Sequence, residues 1–208
     1  MYEEMRLLLE NLEKSERKYD MEKLIQAYDY SAGLHEGQFR LSGEPYISHP
    51  VAVATIVASL GLDTDSICAA LLHDVVEDAG ITIEQIEEHF GKRVRFLVEA
   101  ETENKRTDLP AEQTWKIRKQ ESLEELKRTD DLGVLMVWLG DKLANMRSFY
   151  RIWKTEGDQM WQQFNQKDPA EQAWYYRSIA KLTERLSHTT AWLEYKTLTE
   201  MVFAQGDN

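Results

Sequence analysis

The chain has little of what stabilises secreted proteins or anchors membrane proteins. Its 208 residues include one cysteine, Cys68, so it cannot form an internal disulfide. Its longest apolar run, VLMVWL at residues 134–139, is far too short to cross a bilayer. Residues 1–18 are charged throughout and contain no apolar segment of the kind that signal peptides carry. We therefore expect a cytoplasmic protein without a membrane partner.

Basic residues are also scarce relative to acids. The chain has 25 Lys and Arg against 37 Asp and Glu, which gives a net charge of −12. Proteins that bind nucleic acid neutralise phosphates with clustered Lys and Arg, so we expect no nucleic-acid partner. A small anionic substrate remains compatible with this charge only if a local cationic pocket or a metal ion receives it.

Strand signals and chain breakers are few. There are four prolines and ten glycines, and no segment alternates apolar and polar residues with a period of two. The sequence therefore predicts an all-α fold, and its length fits one domain. The predicted helices span 2–16, 21–35, 50–61, 66–79, 82–91, 92–102, 112–128, 131–153 and 169–203, the last as one helix or two.

One stretch, LLHDVVED at residues 71–78, combines a histidine and three carboxylates with leucines and valines of the kind found in a buried helix. A rotation of about 100° per residue places His73, Asp74, Glu77 and Asp78 on one helix face. Three carboxylates this close stay ionised together only when positive charge offsets their repulsion. A His–Asp pair on a helix can supply half of the ligands of a metal site. A solvent-exposed acidic face is the alternative, although the apolar residues on both sides disfavour it.

Further metal ligands have to come from elsewhere, and two stretches contain candidates. His49 lies just before a helix start in PYISHP, and Asp141 lies in WLGDKLANMRS on the same helix face as Asn145 and Ser148. Each has a simpler explanation when taken alone. The histidine fits an ordinary loop residue, and the aspartate fits a helix cap or a partner of Lys142.

Taken together, these residues resemble a known family. His49, His73–Asp74 and Asp141 match the H…HD…D pattern of the HD-domain metal-dependent phosphohydrolases. The longer motifs RLSGEPYISHP, ALLHDVVEDAGITIEQIEEHFG and LGDKLANMRS resemble the hydrolase domain of the RelA/SpoT-homologue enzymes, which degrade the alarmone (p)ppGpp.

This resemblance is strongest over residues 25–150. It implies a single HD-type helical bundle over 1–208, with C-terminal helices at 160–203 packed on it. The chain is too short for the synthetase and regulatory domains of the bifunctional members, so it is similar to the stand-alone small alarmone hydrolases.

The resemblance also implies the chemistry. One divalent ion, usually Mn²⁺, is held by His49, His73, Asp74 and Asp141. This mixed nitrogen and oxygen donor set also suits Fe, Co or Zn, and suits them better than Mg or Ca. Glu77 and Asp78, in an order left open, orient and deprotonate the water that attacks the 3′-pyrophosphate. The expected products are GDP or GTP and pyrophosphate.

Substrate contacts are implied in the same way. Arg40 matches the arginine that stacks on guanine, a role that suits its planar guanidinium. Asn145 matches a position near the ribose, and the cationic side chains are expected to hold phosphates, Lys142 foremost. The full set of expected substrate-binding residues is Arg40, Ser42, Lys142, Asn145, Ser148, Lys116, Arg118 and Lys119.

Two positions depart from the family pattern. Leu41 stands where the family commonly has lysine, and Glu103 stands near a basic position of the bifunctional enzymes. These departures leave the base and phosphate preference open, so (p)ppApp or NADPH is an alternative substrate. A non-catalytic nucleotide-sensing module is a further alternative. A purely structural interaction protein is the weakest, because it leaves the acid cluster unexplained.

Overall fold

The computed structural model describes residues 1–106 and 108–204, and the regular elements of these ranges are all helical. This confirms the predicted all-α fold; Phe39 and Pro45 form an isolated β-bridge. The α-helices are α1 (Glu3–Glu13), α2 (Met21–Leu34), α3 (Ser48–Ser59), α4 (Thr64–Leu72), α5 (Val75–Ala79), α6 (Ile83–Phe90), α7 (Lys92–Glu101), α8 (Ala111–Arg128), α9 (Leu132–Glu156), α10 (Pro169–Leu182) and α11 (Thr190–Phe203). Two 3₁₀ helices span Gly157–Gln163 and Glu184–Leu186.

The helix predicted over 66–79 is wrong in one respect, because the structure interrupts it at His73 and Asp74. The His73 Nδ1 atom lies 2.8 Å from the Ala70 carbonyl oxygen. In an uninterrupted helix, that carbonyl would accept a hydrogen bond from the Asp74 backbone. The imidazole therefore takes an acceptor that the helix would otherwise use, and α5 starts afresh at Val75. Gly80 ends α5 with φ of 69°, a conformation that glycine adopts without strain.

Two compact units are distinguished within the chain. The first comprises residues 1–102 and 132–141, and the second comprises residues 103–131 and the chain from 142 onward. The single domain expected over 1–208 stays a prediction, as does the packing of residues 160–203 on the rest. Among the helices of the described ranges, none combines the length and apolarity that crossing a membrane requires.

The core of the first unit lies around α3 and α4. Nearly every side chain of α4 is buried, from Ser66 to Leu72. The start of α9 packs closely on α3 at Gly140, where an added Cβ would lie 3.0 Å from a Val57 methyl and 3.4 Å from a Val53 methyl. This close approach places Asp141, the next residue, beside the first turn of α3.

The second unit has an aromatic core. The Tyr195 hydroxyl donates a hydrogen bond to the Tyr176 carbonyl oxygen at 2.8 Å, and the Phe149 and Trp161 rings meet edge to face at 5.5 Å between centroids. Aromatic pairs in this geometry contribute beyond the apolar area that they bury. Large aromatic rings thus contribute much of the core of the second unit.

Candidate metal centre

Four polar side chains from three places in the first unit meet in its interior. His49 comes from the first turn of α3, His73 and Asp74 from the interruption between α4 and α5, and Asp141 from α9. The His49 Nε2 atom lies 3.0 Å from Asp141 Oδ1, and the His73 Nε2 atom lies 3.1 Å from Asp74 Oδ2. The two Nε2 atoms are 3.3 Å apart. The structure therefore brings together all four residues expected to bind metal.

These side chains are almost fully withdrawn from water. Only 5% of His49, 2% of His73 and 4% of Asp141 is exposed, while the Asp74 side chain keeps 20% exposure. Burying ionised groups costs free energy unless opposite charges or hydrogen bonds compensate. Asp74 is therefore the most solvent-exposed of the four residues.

The histidines and carboxylates of the cluster shift one another's pKa values. Burial opposes protonation of His73, but the Asp74 and Asp141 carboxylates outweigh it, and the pKa of His73 lies well above its usual value. Burial lowers the pKa of His49, although Asp141 acts against that shift. The pKa of Asp74 is lowered despite its burial, because the two histidines favour the carboxylate. The carboxylates of this centre therefore favour positive charge beside them.

The donor set fits a divalent metal ion. The His73 Nδ1 atom donates to the Ala70 carbonyl, so the lone pair of the neutral ring is on Nε2 and faces the cluster. Metal-binding histidines commonly carry such a hydrogen bond on the other ring nitrogen. One ligand atom each from His49, His73 and Asp141 lies within 4.8 Å of the others. The nitrogen atoms of two histidines and a carboxylate oxygen thus lie close enough together to hold one cation.

Tyr46 connects this centre to Asp78, one of the two expected catalytic acids. Its hydroxyl lies 2.7 Å from Asp74 Oδ2 and 3.1 Å from Asp78 Oδ2. Burial, together with the Asp74 and Asp78 charges, raises the pKa of Tyr46 well above its usual value. The hydroxyl therefore stays protonated and acts as a hydrogen-bond donor to these carboxylates. Glu77, the other expected acid, precedes Asp78 in α5 and is half-buried.

Tyr46 is a residue that sequence reasoning missed. It stands three positions before His49 in the same EPYISH segment, and that spacing was the available signal. The Ser48 and His49 backbone N–H groups bond to the Pro45 and Tyr46 carbonyls at 3.0 and 2.9 Å. This tight turn sends both side chains to the same site.

The loop before α3 carries Arg40 and Ser42. A backbone hydrogen bond of 2.9 Å from Arg40 to the Glu44 carbonyl closes the loop. The Arg40 guanidinium lies 5.8 Å from the centre of the Tyr46 ring, and the Ser42 hydroxyl donates to the Glu44 carboxylate at 3.1 Å. Leu41 is 60% exposed between them. Arg40 therefore lies beside the residue that links Asp74 and Asp78, and Ser42 bonds within its own loop.

The cationic candidates of α8 contact acids of the second unit. Arg118 Nη1 lies 3.0 Å from one Glu103 oxygen, and Lys119 Nζ lies 2.7 Å from the other. Lys116 pairs with Glu171, and its ammonium lies 3.5 Å from the centre of the Trp174 ring. These side chains, which the sequence presents as available for phosphate, are already engaged by carboxylates.

The remaining candidates, Lys142, Asn145 and Ser148, lie along α9. Lys142 is buried, and its charge favours ionisation of Glu103. Asn145 and Ser148 are half-buried. Their expected roles toward substrate stay predictions.

Comparison with known proteins shows which family the chain, including this centre, belongs to. The family model described as HD domain matches residues 27–169. The guanosine-3′,5′-bis(diphosphate) 3′-pyrophosphohydrolase of Haemophilus influenzae is 44% identical over 114 residues, which cover 55% of this chain and 17% of that protein. The bifunctional (p)ppGpp synthase/hydrolase SpoT of Escherichia coli is 39% identical over 133 residues, which cover 62% of this chain and 18% of that protein. The chain thus matches less than a fifth of the length of each of these two relatives.

Two solved structures share the fold. The crystal structure of lmo0812 from Listeria monocytogenes EGD-e superposes with a TM-score of 0.67 at 30% identity, covering 76% of this chain and 99% of that one. A metazoan ortholog of SpoT, described as hydrolysing ppGpp, superposes with a TM-score of 0.67 at 23% identity, covering 92% of this chain and 99% of that one.

Proposed function

Because this chain belongs to the HD-domain family, we propose that it hydrolyses the 3′-pyrophosphate of (p)ppGpp, giving GDP or GTP and pyrophosphate. Two of its relatives carry that activity in their names, at 44% and 39% identity. The observation that carries the proposal is the buried cluster of His49, His73 and Asp141. Asp74 lies 3.1 Å from His73, and Asp78 is linked to Asp74 through Tyr46. We also propose that residues 1–208 form one hydrolase domain.

The proposed metal is one Mn²⁺ ion, held by His49, His73, Asp74 and Asp141. When bound, it supplies a Lewis acid that polarises a phosphoryl oxygen and eases deprotonation of water. Two imidazoles and two carboxylates suit Mn, Fe, Co or Zn. The chain's contribution is to hold these four groups close together, three of them almost fully buried, before substrate arrives.

The proposed catalytic residues are Glu77 and Asp78. Their carboxylates orient the attacking water and accept its proton, which a carboxylate at hydrogen-bond distance does as a general base. Arg40 stacks on the base of the nucleotide and Ser42 contacts it. Asn145 and Ser148 are proposed to face the ribose.

The proposed phosphate-binding cations are Lys142, Lys116, Arg118 and Lys119. For Arg118 and Lys119, phosphate has to compete with Glu103 for the same N–H donors, because both contact its carboxylate at 3.0 and 2.7 Å. Lys142 has the strongest case, since it directly follows Asp141 in α9.

A second candidate substrate is a different nucleotide, either (p)ppApp or NADPH. The exposed Leu41 side chain supports it, because the loop that carries Arg40 presents an apolar group where the family commonly has a lysine. A missing phosphate contact would favour NADPH, which has a single phosphate in place of the 3′-pyrophosphate, whereas (p)ppApp differs from (p)ppGpp only in its base.

The first test measures pyrophosphate release from ppGpp by metal-stripped protein with and without Mn²⁺, with ppApp and NADPH in parallel. For NADPH the product followed is phosphate. Mn²⁺-dependent cleavage of ppGpp is the expected result. Cleavage of ppApp or NADPH alone would show that the substrate is that nucleotide and not ppGpp. Metal binding without turnover of any nucleotide would favour a sensing module.

Two substitutions separate metal binding from chemistry. Asp141→Ala is expected to abolish Mn²⁺ binding, because it removes a buried anionic ligand. Glu77→Gln is expected to keep Mn²⁺ and to lower kcat at least 100-fold, since general-base catalysis typically contributes a factor of about 10²–10⁴. Arg147→Ala is the control, because its exposed ion pair with Glu194 lies outside the proposed machinery. Unchanged Mn²⁺ affinity in the first variant, or full activity in the second, would contradict these roles.

A further inference from the structure

The Tyr46 hydroxyl links two carboxylates that have different proposed roles. It lies 2.7 Å from Oδ2 of Asp74, a proposed metal ligand, and 3.1 Å from Oδ2 of Asp78, a proposed catalytic acid. A phenol has one proton to donate, so the two anionic oxygens share one donor. Hydrogen bonds to charged acceptors are about twice as strong as neutral ones. This hydroxyl therefore holds both carboxylates within hydrogen-bond distance of one atom.

The Tyr46 ring is fixed on several sides. The imidazole of His35, a buried residue, packs against it with ring centroids 4.6 Å apart. Gln38 connects to both residues, because its side chain bonds the His35 Nδ1 atom at 2.9 Å and its carbonyl accepts the Tyr46 backbone N–H at 3.0 Å. The His49 ring meets the Tyr46 ring edge to face at 6.2 Å. The position of the hydroxyl is therefore set by the loop before α3.

Asp78 needs such a tether because its own helix is short. α5 has five residues, begins at the interruption after Asp74 and ends at Gly80. An isolated helix of this length is not stable in water, so its geometry depends on contacts with its surroundings. A backbone hydrogen bond of 2.9 Å from Asp78 to the Asp74 carbonyl fixes the main chain. The Tyr46 hydroxyl adds a contact at the carboxylate itself.

We infer that Tyr46 is a positioning residue that aligns the Asp78 carboxylate with the metal centre. This inference rests on the proposed function and goes beyond it, because it distinguishes the two proposed catalytic acids. The orientation of Asp78 is set by the loop before α3, which also carries Arg40. Tyr46 itself needs no contact with the reacting atoms. Losing the hydroxyl should affect turnover and leave substrate binding intact.

The test compares Tyr46→Phe with the parent protein at saturating Mn²⁺, using ppGpp as substrate. We expect kcat to fall about 10–100-fold, the usual cost of losing a residue that orients the groups at a metal site. KM should change less than twofold. A separate Mn²⁺ titration of both proteins measures how much the lost hydrogen bond to Asp74 weakens metal binding. Because kcat is measured at saturating Mn²⁺, weaker metal binding does not contribute to the fall in kcat.

Tyr28→Phe is the matched control. Tyr28 is also a buried tyrosine of the first unit, and its hydroxyl accepts a hydrogen bond from the Tyr2 backbone at 2.6 Å, away from the metal centre. We expect it to keep the parent kcat, with thermal unfolding of both variants in Mn²⁺ showing that they are folded. An equal loss of kcat in the two variants would overturn the inference, because the effect would then be general.

A second comparison tests whether Tyr46 acts through Asp78. Tyr46→Phe is introduced into Asp78→Asn, and we expect its effect on the residual kcat to fall below threefold, since residues that act as a unit are not additive. A full additional loss would show that Tyr46 works through another group.

The outcomes separate this inference from the proposed function. A parent protein that cleaves ppGpp and a Tyr46→Phe variant with unchanged kcat would overturn the inference alone. A raised KM with unchanged kcat would make Tyr46 a substrate-binding residue and also overturn it. A parent protein that cleaves no nucleotide would overturn the proposed function, and the positioning role with it.

Discussion

At the scale of single residues, Glu103 shows how one carboxylate can hold several cations. Its two oxygens contact Arg118 at 3.0 Å, Lys119 at 2.7 Å and the Ser122 hydroxyl at 2.9 Å, and its side chain is 8% exposed. Burial raises the pKa of Glu103, but the charges of Lys119 and Lys142 outweigh it, and the pKa lies below its usual value. The ionised form is therefore the one that the folded protein favours.

The sign of this shift predicts an acid-dependent loss of stability. Because the folded-state pKa of Glu103 is lowered, its contribution is complete above the unfolded pKa of about 4.3 and is lost as pH falls through the folded value. Glu103→Gln should lower the free energy of unfolding by about 3 kcal/mol at pH 7, since it leaves buried cations uncompensated. It should also flatten the fall in stability between pH 5 and 3. Urea unfolding at several pH values measures both effects.

Glu194→Gln is the control for this prediction. Glu194 forms an ion pair with Arg147, but both side chains are more than 40% exposed, so the change should stay below about 1 kcal/mol. Equal effects of the two substitutions would show that burial of Glu103 adds nothing.

At the scale of secondary-structure elements, α9 packs closely on α3 near the proposed centre. Gly140 lets the two helices approach, because a Cβ there would lie 3.0 Å from the buried Val57 side chain. That distance is shorter than ordinary van der Waals contact between carbon atoms. The neighbouring residue, Asp141, lies 3.0 Å from His49 across the same junction.

Alanine at Gly140 should therefore behave differently from alanine at Gly33. Gly33 is also helical and has no heavy atom within 4 Å of an added Cβ, so Gly33→Ala should stabilise the protein by about 0.5–1 kcal/mol. At Gly140 the contact with the stiff, branched Val57 side chain should reverse the sign and lower the free energy of unfolding by about 1 kcal/mol. Equal stabilisation by both substitutions, measured by denaturant unfolding, would mean that α9 has room to move.

Much at this scale could be predicted from the sequence. Helical periodicity and glycine stops placed most helix limits within a few residues, and the H…HD…D motifs identified four side chains that the fold does bring together. The interruption of the helix at His73 could not be predicted, because it depends on the hydrogen bond between the His73 imidazole and the Ala70 carbonyl oxygen. The contacts of Tyr46 with Asp74 and Asp78, and the pairing of Arg118 with Glu103, also depend on distances that only the folded chain sets.

At the scale of the whole molecule, metal binding and stability should be linked. The proposed ligands come from α3, from the junction of α4 and α5, and from α9, so unfolding separates them. A ligand that binds only the folded state adds stability with its concentration, by about 2.7 kcal/mol at 100 times its dissociation constant. If the proposed ligands hold one ion, that ion joins three distant chain segments.

We expect Mn²⁺ at that concentration to raise the free energy of unfolding of the metal-stripped protein by about 2.7 kcal/mol. Asp141→Asn, which keeps the side-chain volume and removes the charge, should abolish the gain. Denaturant unfolding with and without Mn²⁺ measures it for both proteins. The same gain in the variant would place the stabilising ion at a different site.

The position of Asp141 late in the first unit has a consequence for synthesis of the protein. His49, His73 and Asp74 leave the ribosome well before α9 does, and a nascent chain lacks its fourth proposed ligand until residue 141 has emerged. Domains generally fold as units during translation. Metal insertion is therefore expected to follow the docking of α9 on α3, so that nascent chains stalled before α9 should not retain Mn²⁺.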